Sequence, residues 1–127
     1  MKKAVVSTPN APKAVGPYSQ AIFVDGWLHI SMQLPLVPET GALVEGDIKD
    51  KARQVFRNIG ALLQEAGGGY GDLVKTTLYL VDMADFAAVN EVYAEFLPLH
   101  PPARGAMEVK RLPKDASLAI EAVAKLA

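Results

Sequence analysis

Two segments of the chain repeat apolar residues at steps of three and four, and this pattern limits the fold more than any other feature. Residues 46–69 and 82–97 each carry one apolar stripe, which predicts two amphipathic helices. Asp47 is placed to cap the first helix, and a run of glycines stops it. Asp82 is predicted as the N-cap of the second helix, which Pro98 ends.

The remaining apolar segments alternate with a period of two, which is typical of strands. Between two of them, Asp25 and Gly26 supply the positive φ angles that a two-residue hairpin turn needs. In a middle strand, one predicted face carries Val74, Thr76, Leu78 and Leu80. In the last strand, one face carries Leu118, Ile120, Ala122 and Ala124. The predicted order is β-β-β-α-β-α-β-β.

Two helices cover only one face of a sheet of about six strands, so the other face meets solvent or another subunit. That second face is apolar, since Ala119 and Val123 of the last strand and Thr77 and Tyr79 of the middle strand would be exposed in a monomer. A contiguous apolar patch usually marks an interface, which predicts a homo-oligomer. The alternative is a monomer with scattered exposed apolar residues.

Composition excludes several classes of protein. The 127 residues predict one domain over residues 1–127, and 50% hydrophobic with 21% charged residues indicates a packed core. A net charge of −1 supplies no basic field, so nucleic acid is an unlikely partner. No apolar run is long enough for a membrane span, and no cysteine is present. A cytoplasmic protein is expected.

Arg104 is the most informative charged residue. It stands among small and apolar neighbours after two prolines, on a segment that predicts a strand, with no carboxylate within three positions on either side. Such an arginine either points at water or pairs with an anion from elsewhere. That anion is a candidate substrate.

Other kinds of site receive little support. His29 and His100 make no metal-ligand spacing, and no cysteine is available to complete one. Ser7, Ser19 and Ser117 have no recognisable base as a partner for nucleophilic catalysis. No metal and no cofactor are therefore predicted.

Several segments, taken in order, resemble the YjgF family of Rid (reactive intermediate deaminase) proteins. They are "NAPKAVGPYSQAI", "ISMQLP", "DLVKTTLYLVDMADFAAVNEVYAEFL" and "PPAR" followed by "EVKRLPKDASLAIEAVA", and the resemblance covers residues 7–124. It implies an α+β, chorismate-mutase-like fold with a six-stranded mixed sheet and two helices on one face. It also implies a homotrimeric barrel with three clefts between subunits.

The resemblance assigns roles to individual residues. Arg104 matches the arginine that binds the carboxylate of a small 2-imino or enamine acid in the cleft. A guanidinium suits this role because its planar fork pairs with a carboxylate through two hydrogen bonds. Tyr18 matches a tyrosine that closes the cleft, Ser31 a serine of an "SGQ" element, and Asn90 an asparagine near the cleft.

Three positions depart from the family pattern. Met32 stands where a glycine is usual, and its long side chain would occupy space that a substrate needs. Ala106 replaces a frequent cysteine, and Ala119 replaces a glutamate taken to activate the water. Glu121 lies two residues further on the same side of the strand, so either it serves that water or it makes a structural hydrogen bond.

Three functions follow as alternatives. The first is hydrolytic deamination of reactive 2-imino acids to 2-oxo acids and ammonia, with Arg104 and Glu121 as catalytic residues and activity altered by Ala119 and Met32. The second is a non-catalytic protein that binds small carboxylic acids in the same clefts. The third is the endoribonuclease or translation-inhibitor activity often ascribed to the family. The expected partners are small 2-imino or 2-oxo acids and two further copies of the chain.

Overall fold

A computed structural model describes residues 2–127, which form one six-stranded sheet with two helices. The strands are β1 (Ala4–Val6), β2 (Ala21–Val24), β3 (Trp27–Gln33), β4 (Leu73–Leu80), β5 (Ala103–Glu108) and β6 (Leu118–Lys125). The helices are α1 (Ile48–Glu65) and α2 (Phe86–Phe96). The order β-β-β-α-β-α-β-β is therefore confirmed.

The sheet is mixed, with the strands side by side in the order β1-β2-β3-β6-β4-β5. Only the β4–β5 pair is parallel among the strand pairs of residues 2–127. Both helices contribute to one core with the same face of the sheet, as the α+β prediction required. Strand β5 forms one edge of the sheet, and it carries Arg104.

The β2–β3 hairpin has the predicted turn. Val24 pairs with Trp27, and the two residues between them have positive φ angles, 54° at Asp25 and 82° at Gly26. Such angles match the right-handed twist of the two strands. Strand β3 of this hairpin, which carries Ser31 and Met32, lies at the centre of the sheet.

The predicted ends of α1 are also confirmed. The Asp47 carboxylate accepts from the backbone N–H of Asp50, whose own carboxylate accepts from the N–H of Asp47. Gly67, with a φ of 88°, follows the last turn. A glycine favours this left-handed conformation because it has no Cβ.

The start of α2 differs from the prediction. Asp82 caps a short 3₁₀ turn, Met83–Asp85, by accepting from the N–H of Ala84, and α2 begins only at Phe86. A 3₁₀ turn often precedes an α-helix, and here the Asp82 side chain caps that turn rather than the helix itself. The helix ends at Phe96, ahead of Pro98, as expected.

One side chain of β4 does not face the core as predicted. Thr76, Leu78 and Leu80 are buried, but Val74 is 44% exposed and Leu73 is buried in its place. The register with β6 shifts between Leu73 and Lys75. An extra residue at such a bulge moves one side chain to the opposite face.

Ala119 is a second correction. It was expected to be exposed on the open face of the sheet, yet it is fully buried in a small cluster with Leu112 and Ala116. The chain that follows β5 therefore folds over this part of the open face. The buried face of β6 is otherwise as predicted.

An aromatic cluster joins the two helices. The Phe56 ring lies 4.9 Å from the Tyr93 ring and 5.0 Å from the Phe96 ring, measured between centroids. The Tyr70 ring packs edge-on against Phe56 and Phe96, and its hydroxyl donates to the Phe56 carbonyl. Burial raises the pKa of Tyr70. The cluster fixes the position of α2, which carries Asn90.

Gly60 offers a test of this packing. Alanine usually stabilises a helix interior by about 1 kcal/mol relative to glycine. At Gly60, however, an added Cβ would overlap the Tyr70 hydroxyl and lie 2.8 Å from its Cζ. We expect Gly60→Ala to lower the free energy of unfolding by about 1–2 kcal/mol in urea titrations. In a Tyr70→Ala background the same substitution should be stabilising, and a gain in the wild-type background would contradict the packing.

No helix within residues 2–127 combines the length and the apolar character needed to cross a lipid bilayer.

Candidate functional site

Arg104 lies on the helix-facing side of β5, beside Thr76 of β4. Its Nη1 donates to Asn90 Oδ1 at 2.7 Å. Its Cζ lies 5.0 Å from the centroid of the Phe86 ring and 4.8 Å from that of Tyr93. These three partners occupy one stripe of α2, at steps of four and three residues, so a single helix face holds the guanidinium.

The charge of Arg104 has no carboxylate partner among residues 2–127. All the ion pairs found there involve other cations, namely Lys49, Arg53 and Arg111. Asn90 supplies a neutral oxygen, which orients a guanidinium without neutralising it. That Arg104 binds an anion from elsewhere stays a prediction.

An open cavity of about 570 Å³ lies beside Arg104. Its lining includes Asn90, Tyr93 and the prolines at 98, 101 and 102. Burial raises the pKa of Tyr93, while the charge of Arg104 and a hydrogen bond with Thr76 act in the other direction. The phenol therefore stays protonated at neutral pH.

Tyr18, Ser31 and Met32 line a different cavity of about 460 Å³. Tyr18 is 51% exposed. The Ser31 hydroxyl donates to the Ser19 carbonyl at 2.7 Å, so it holds the loop that carries Tyr18. Met32 lies at the wall of this cavity and also packs against the cluster that contains Ala119. The three predicted residues are thus brought together.

A β-bulge places Ser31 and Met32. Ile30 pairs with Ala122 and Gln33 with Ile120, so two residues of β3 oppose the single residue Glu121 of β6. Bulges interrupt the regular alternation and re-aim side chains, and they are frequent beside functional sites.

Glu121 accepts a hydrogen bond from the Tyr79 hydroxyl at 2.7 Å. This bond, together with burial and the charge of Glu121, raises the pKa of Tyr79. Glu121 lines a small cavity of about 240 Å³ with His29, Lys75 and Thr77. It is beside Thr77, whereas Arg104 is beside Thr76, so the two side chains point to opposite faces of the sheet.

The predicted site residues therefore fall into three places within one chain. The cavity at Arg104 and Asn90 shares no lining residue with the cavity at Tyr18, Ser31 and Met32, and Glu121 belongs to a third. None of these three cavities includes all the predicted site residues.

Phe86 and Tyr93 were not predicted as partners of Arg104. Both belong to the apolar stripe of residues 82–97, a pattern typical of residues that pack in a core. Their spacing relative to Asn90 is a regular helical step, but core aromatic residues show the same spacing. Only the position of β5 against α2 distinguishes the two roles.

Among residues 2–127, no three His, Asp or Glu side chains come together as ligands for a metal ion.

The fold and this pocket define a class of protein, an α+β domain whose edge strand presents a fixed arginine to an open cavity. The chain belongs to the endoribonuclease L-PSP family, also known as the YjgF/Rid family, because the family's model matches residues 8–126. This identification confirms the resemblance noted from the sequence.

Relatives span nearly the whole chain. A RutC family protein of Pyrococcus horikoshii is 55% identical over 96% of this chain and 97% of its own length. The human 2-iminobutanoate/2-iminopropanoate deaminase is 44% identical over 96% of this chain and 89% of its own. The crystal structure of E. coli TdcF with bound serine superposes with a TM-score of 0.93 at 38% identity, covering 98% of this chain and 99% of TdcF.

Proposed function

We propose that this protein hydrolyses small 2-imino acids to 2-oxo acids and ammonia. In the reaction, the oxygen of a water molecule adds to the C=N carbon, the carbon–nitrogen bond breaks, and the nitrogen leaves as ammonia with the protons of water. The single observation that carries the proposal is Arg104, an arginine held by Asn90 and two rings yet lacking a carboxylate partner among residues 2–127.

Arg104 binds the substrate carboxylate in this proposal. A charge-assisted, two-point pairing fixes the plane of the carboxylate and hence that of the adjacent C=N group. Orientation of this kind accelerates a reaction whose partners are already reactive in water. The deaminase name of relatives 43–46% identical to this chain supports the reaction. The serine bound in TdcF supports a small carboxylate as ligand.

The working unit is a homotrimer with a site at each interface. The separation of Tyr18 from Arg104 within one chain supports this, because a neighbouring copy can bring the two cavities together. The edge strand β5 also lacks a cover, and its Met107 is 44% exposed. Exposed sheet edges are commonly covered by another subunit.

Glu121 is the proposed acceptor for the proton of the attacking water. It lies opposite the bulge of Ser31 and Met32, and Tyr79 occupies only one of its two oxygens. Ala119 stands where the family has a glutamate, and an alanine cannot accept a proton. It is also buried in a cluster with Leu112 and Ala116.

A second candidate function is binding of small carboxylic acids without turnover. Ala119 and Met32 favour it, since alanine supplies no carboxylate at its position and the Met32 side chain lies at the cavity wall. An endoribonuclease has no comparable support, because the net charge is −1 and Arg104 faces a small cavity rather than a basic groove.

The test is release of ammonia and 2-oxo acid from imines generated in situ by an amino acid oxidase. We expect the wild-type protein to accelerate hydrolysis of imines with several side chains, compared with oxidase alone. Glu121→Gln should keep KM and lower kcat by about 10²-fold, as for loss of a general base. Carboxylate binding without acceleration of any imine would establish the second candidate function instead.

A further inference from the structure

We propose that Tyr93, held by Thr76, is a positioning residue that fixes Arg104 for carboxylate binding. The inference rests on the proposed function, which gives Arg104 its ligand. It extends the site by Tyr93, which lines the cavity beside Arg104, and by Thr76, which is completely buried behind it.

Tyr93 is fixed at two points of its ring. Its hydroxyl and the Thr76 hydroxyl lie 3.0 Å apart in a buried hydrogen bond, and Thr76 is completely buried. The Phe56 ring meets the Tyr93 ring edge-on, with an angle of 87° between their planes. Because both the hydroxyl and the ring of Tyr93 are held, the side chain has one orientation available.

This fixed ring in turn limits Arg104. The Arg104 Cζ lies 4.8 Å from the Tyr93 centroid, within the range in which a ring attracts a guanidinium. An arginine otherwise has many rotamers, and ordering them on binding opposes affinity. The Tyr93 ring favours one Arg104 rotamer before the ligand binds, and this preorganisation increases the affinity for the ligand.

The remaining contacts leave hydrogen-bond donors free for a ligand. A guanidinium has five N–H groups, and Asn90 accepts from Nη1. The guanidinium also lies over the Tyr93 ring, with its Cζ 4.8 Å from the ring centroid. Asn90 and Tyr93 thus orient the cation in two independent directions while a carboxylate binds its edge.

The inference is tested by the affinity for 2-oxobutanoate, measured by calorimetry, and by KM and kcat for imine hydrolysis. We expect Tyr93→Leu to raise Kd and KM about tenfold and to lower kcat by a smaller factor, because the carboxylate anchor is loosened while the proposed general base is unchanged. Phe96→Leu is the matched control, since Phe96 stacks on the same Phe56 ring but does not contact Arg104. It should lose stability without a change in Kd.

Two milder variants keep the test decisive if Tyr93→Leu does not fold. Tyr93→Phe and Thr76→Val each remove the same hydrogen bond, so each should raise Kd about threefold. The Tyr93→Phe/Thr76→Val double variant should have the same Kd as either single variant. Thr76→Ser keeps the hydroxyl and should restore the affinity. Unchanged Kd in all of these variants, or an equal rise in Phe96→Leu, overturns the inference.

The outcomes also separate this inference from the proposed function. A wild-type protein that binds 2-oxobutanoate without hydrolysing imines contradicts the proposed activity, and the Kd series still decides on Tyr93. A wild-type protein that hydrolyses imines with Kd and KM unaffected by Tyr93→Leu contradicts the positioning role alone. A wild-type protein that neither binds nor hydrolyses contradicts both.

Discussion

In the proposed homotrimer, an equimolar mixture of Arg104→Ala and Tyr18→Asp subunits is expected to regain about a quarter of the wild-type activity for imines after subunit exchange. The reason is that a heterologous ring places two protomers at each interface. The Arg104 and Tyr18 cavities are also separate within one chain. If each site takes Arg104 from one protomer and Tyr18 from its neighbour, random mixing makes both halves native at one interface in about four.

Each variant alone should be nearly inactive. Arg104→Ala removes a charge-assisted pairing of about 1.5–3 kcal/mol, which corresponds to roughly a tenfold to 150-fold loss of kcat/KM. Tyr18→Asp places a carboxylate that repels the substrate or occupies the arginine meant to bind it. Tyr18 is 51% exposed, so its replacement should leave the fold intact.

A matched control distinguishes sites formed by two protomers from simple averaging of two impaired variants. Asn90 lies in the same cavity as Arg104, so Arg104→Ala mixed with Asn90→Asp should give no more than the mean of the two separate rates. The measurements are initial rates of 2-oxo acid release before and after subunit exchange. Failure of the Arg104→Ala and Tyr18→Asp mixture to gain activity would show that each site lies within one chain.

The sequence predicted the parts of the fold that depend on neighbours along the chain. The apolar stripe of α1, the Asp47 cap and the Asp25-Gly26 turn are local, since helix periodicity, capping and positive φ angles involve residues a few positions apart. The correct order of elements along the chain, β-β-β-α-β-α-β-β, then follows from their periodicity and spacing.

The corrections at Val74 and Ala119, unlike the one at the start of α2, depend on contacts between distant parts of the chain. Val74 turns outward because β4 shifts its register against β6, and Ala119 is buried because the segment around Leu112 folds over the open face. Neither the register of paired strands nor the path of a loop is encoded in the period of one strand. The period of a strand therefore predicts neither the register shift that turns Val74 outward nor the loop that covers Ala119.

The candidate site shows the same division. Arg104 was identifiable because no carboxylate stands near it in the sequence, and the structure keeps it apart from carboxylates within residues 2–127. The contact between Tyr93 and Arg104 could not be predicted from the sequence, because an aromatic residue on an apolar stripe packs into a core far more often than it orients a cation. The role of Tyr93 follows from β5 lying against α2.

The buried amide of Gln20 should matter for stability more than any other polar group of the Tyr18 loop. Its Oε1 accepts from the Thr8 N–H at 2.8 Å. Its Nε2 lies within hydrogen-bond distance of the carbonyls of Thr8, Ala11 and Pro12. One side chain that is 6% exposed thus organises the segment before Tyr18, part of which lines the Tyr18 cavity.

We expect Gln20→Leu to lower the free energy of unfolding by about 3 kcal/mol, because it leaves buried backbone groups without partners. Urea titrations at one protein concentration measure the change, since concentration affects the apparent stability of an oligomer. Gln64→Leu is the control, as Gln64 is an exposed glutamine on α1 and should change stability by less than about 0.5 kcal/mol. Equal effects of the two substitutions would mean that the loop is held by its prolines and apolar contacts rather than by this amide. A large loss at Gln20 alone would make the amide the structural support of the Tyr18 half of the site.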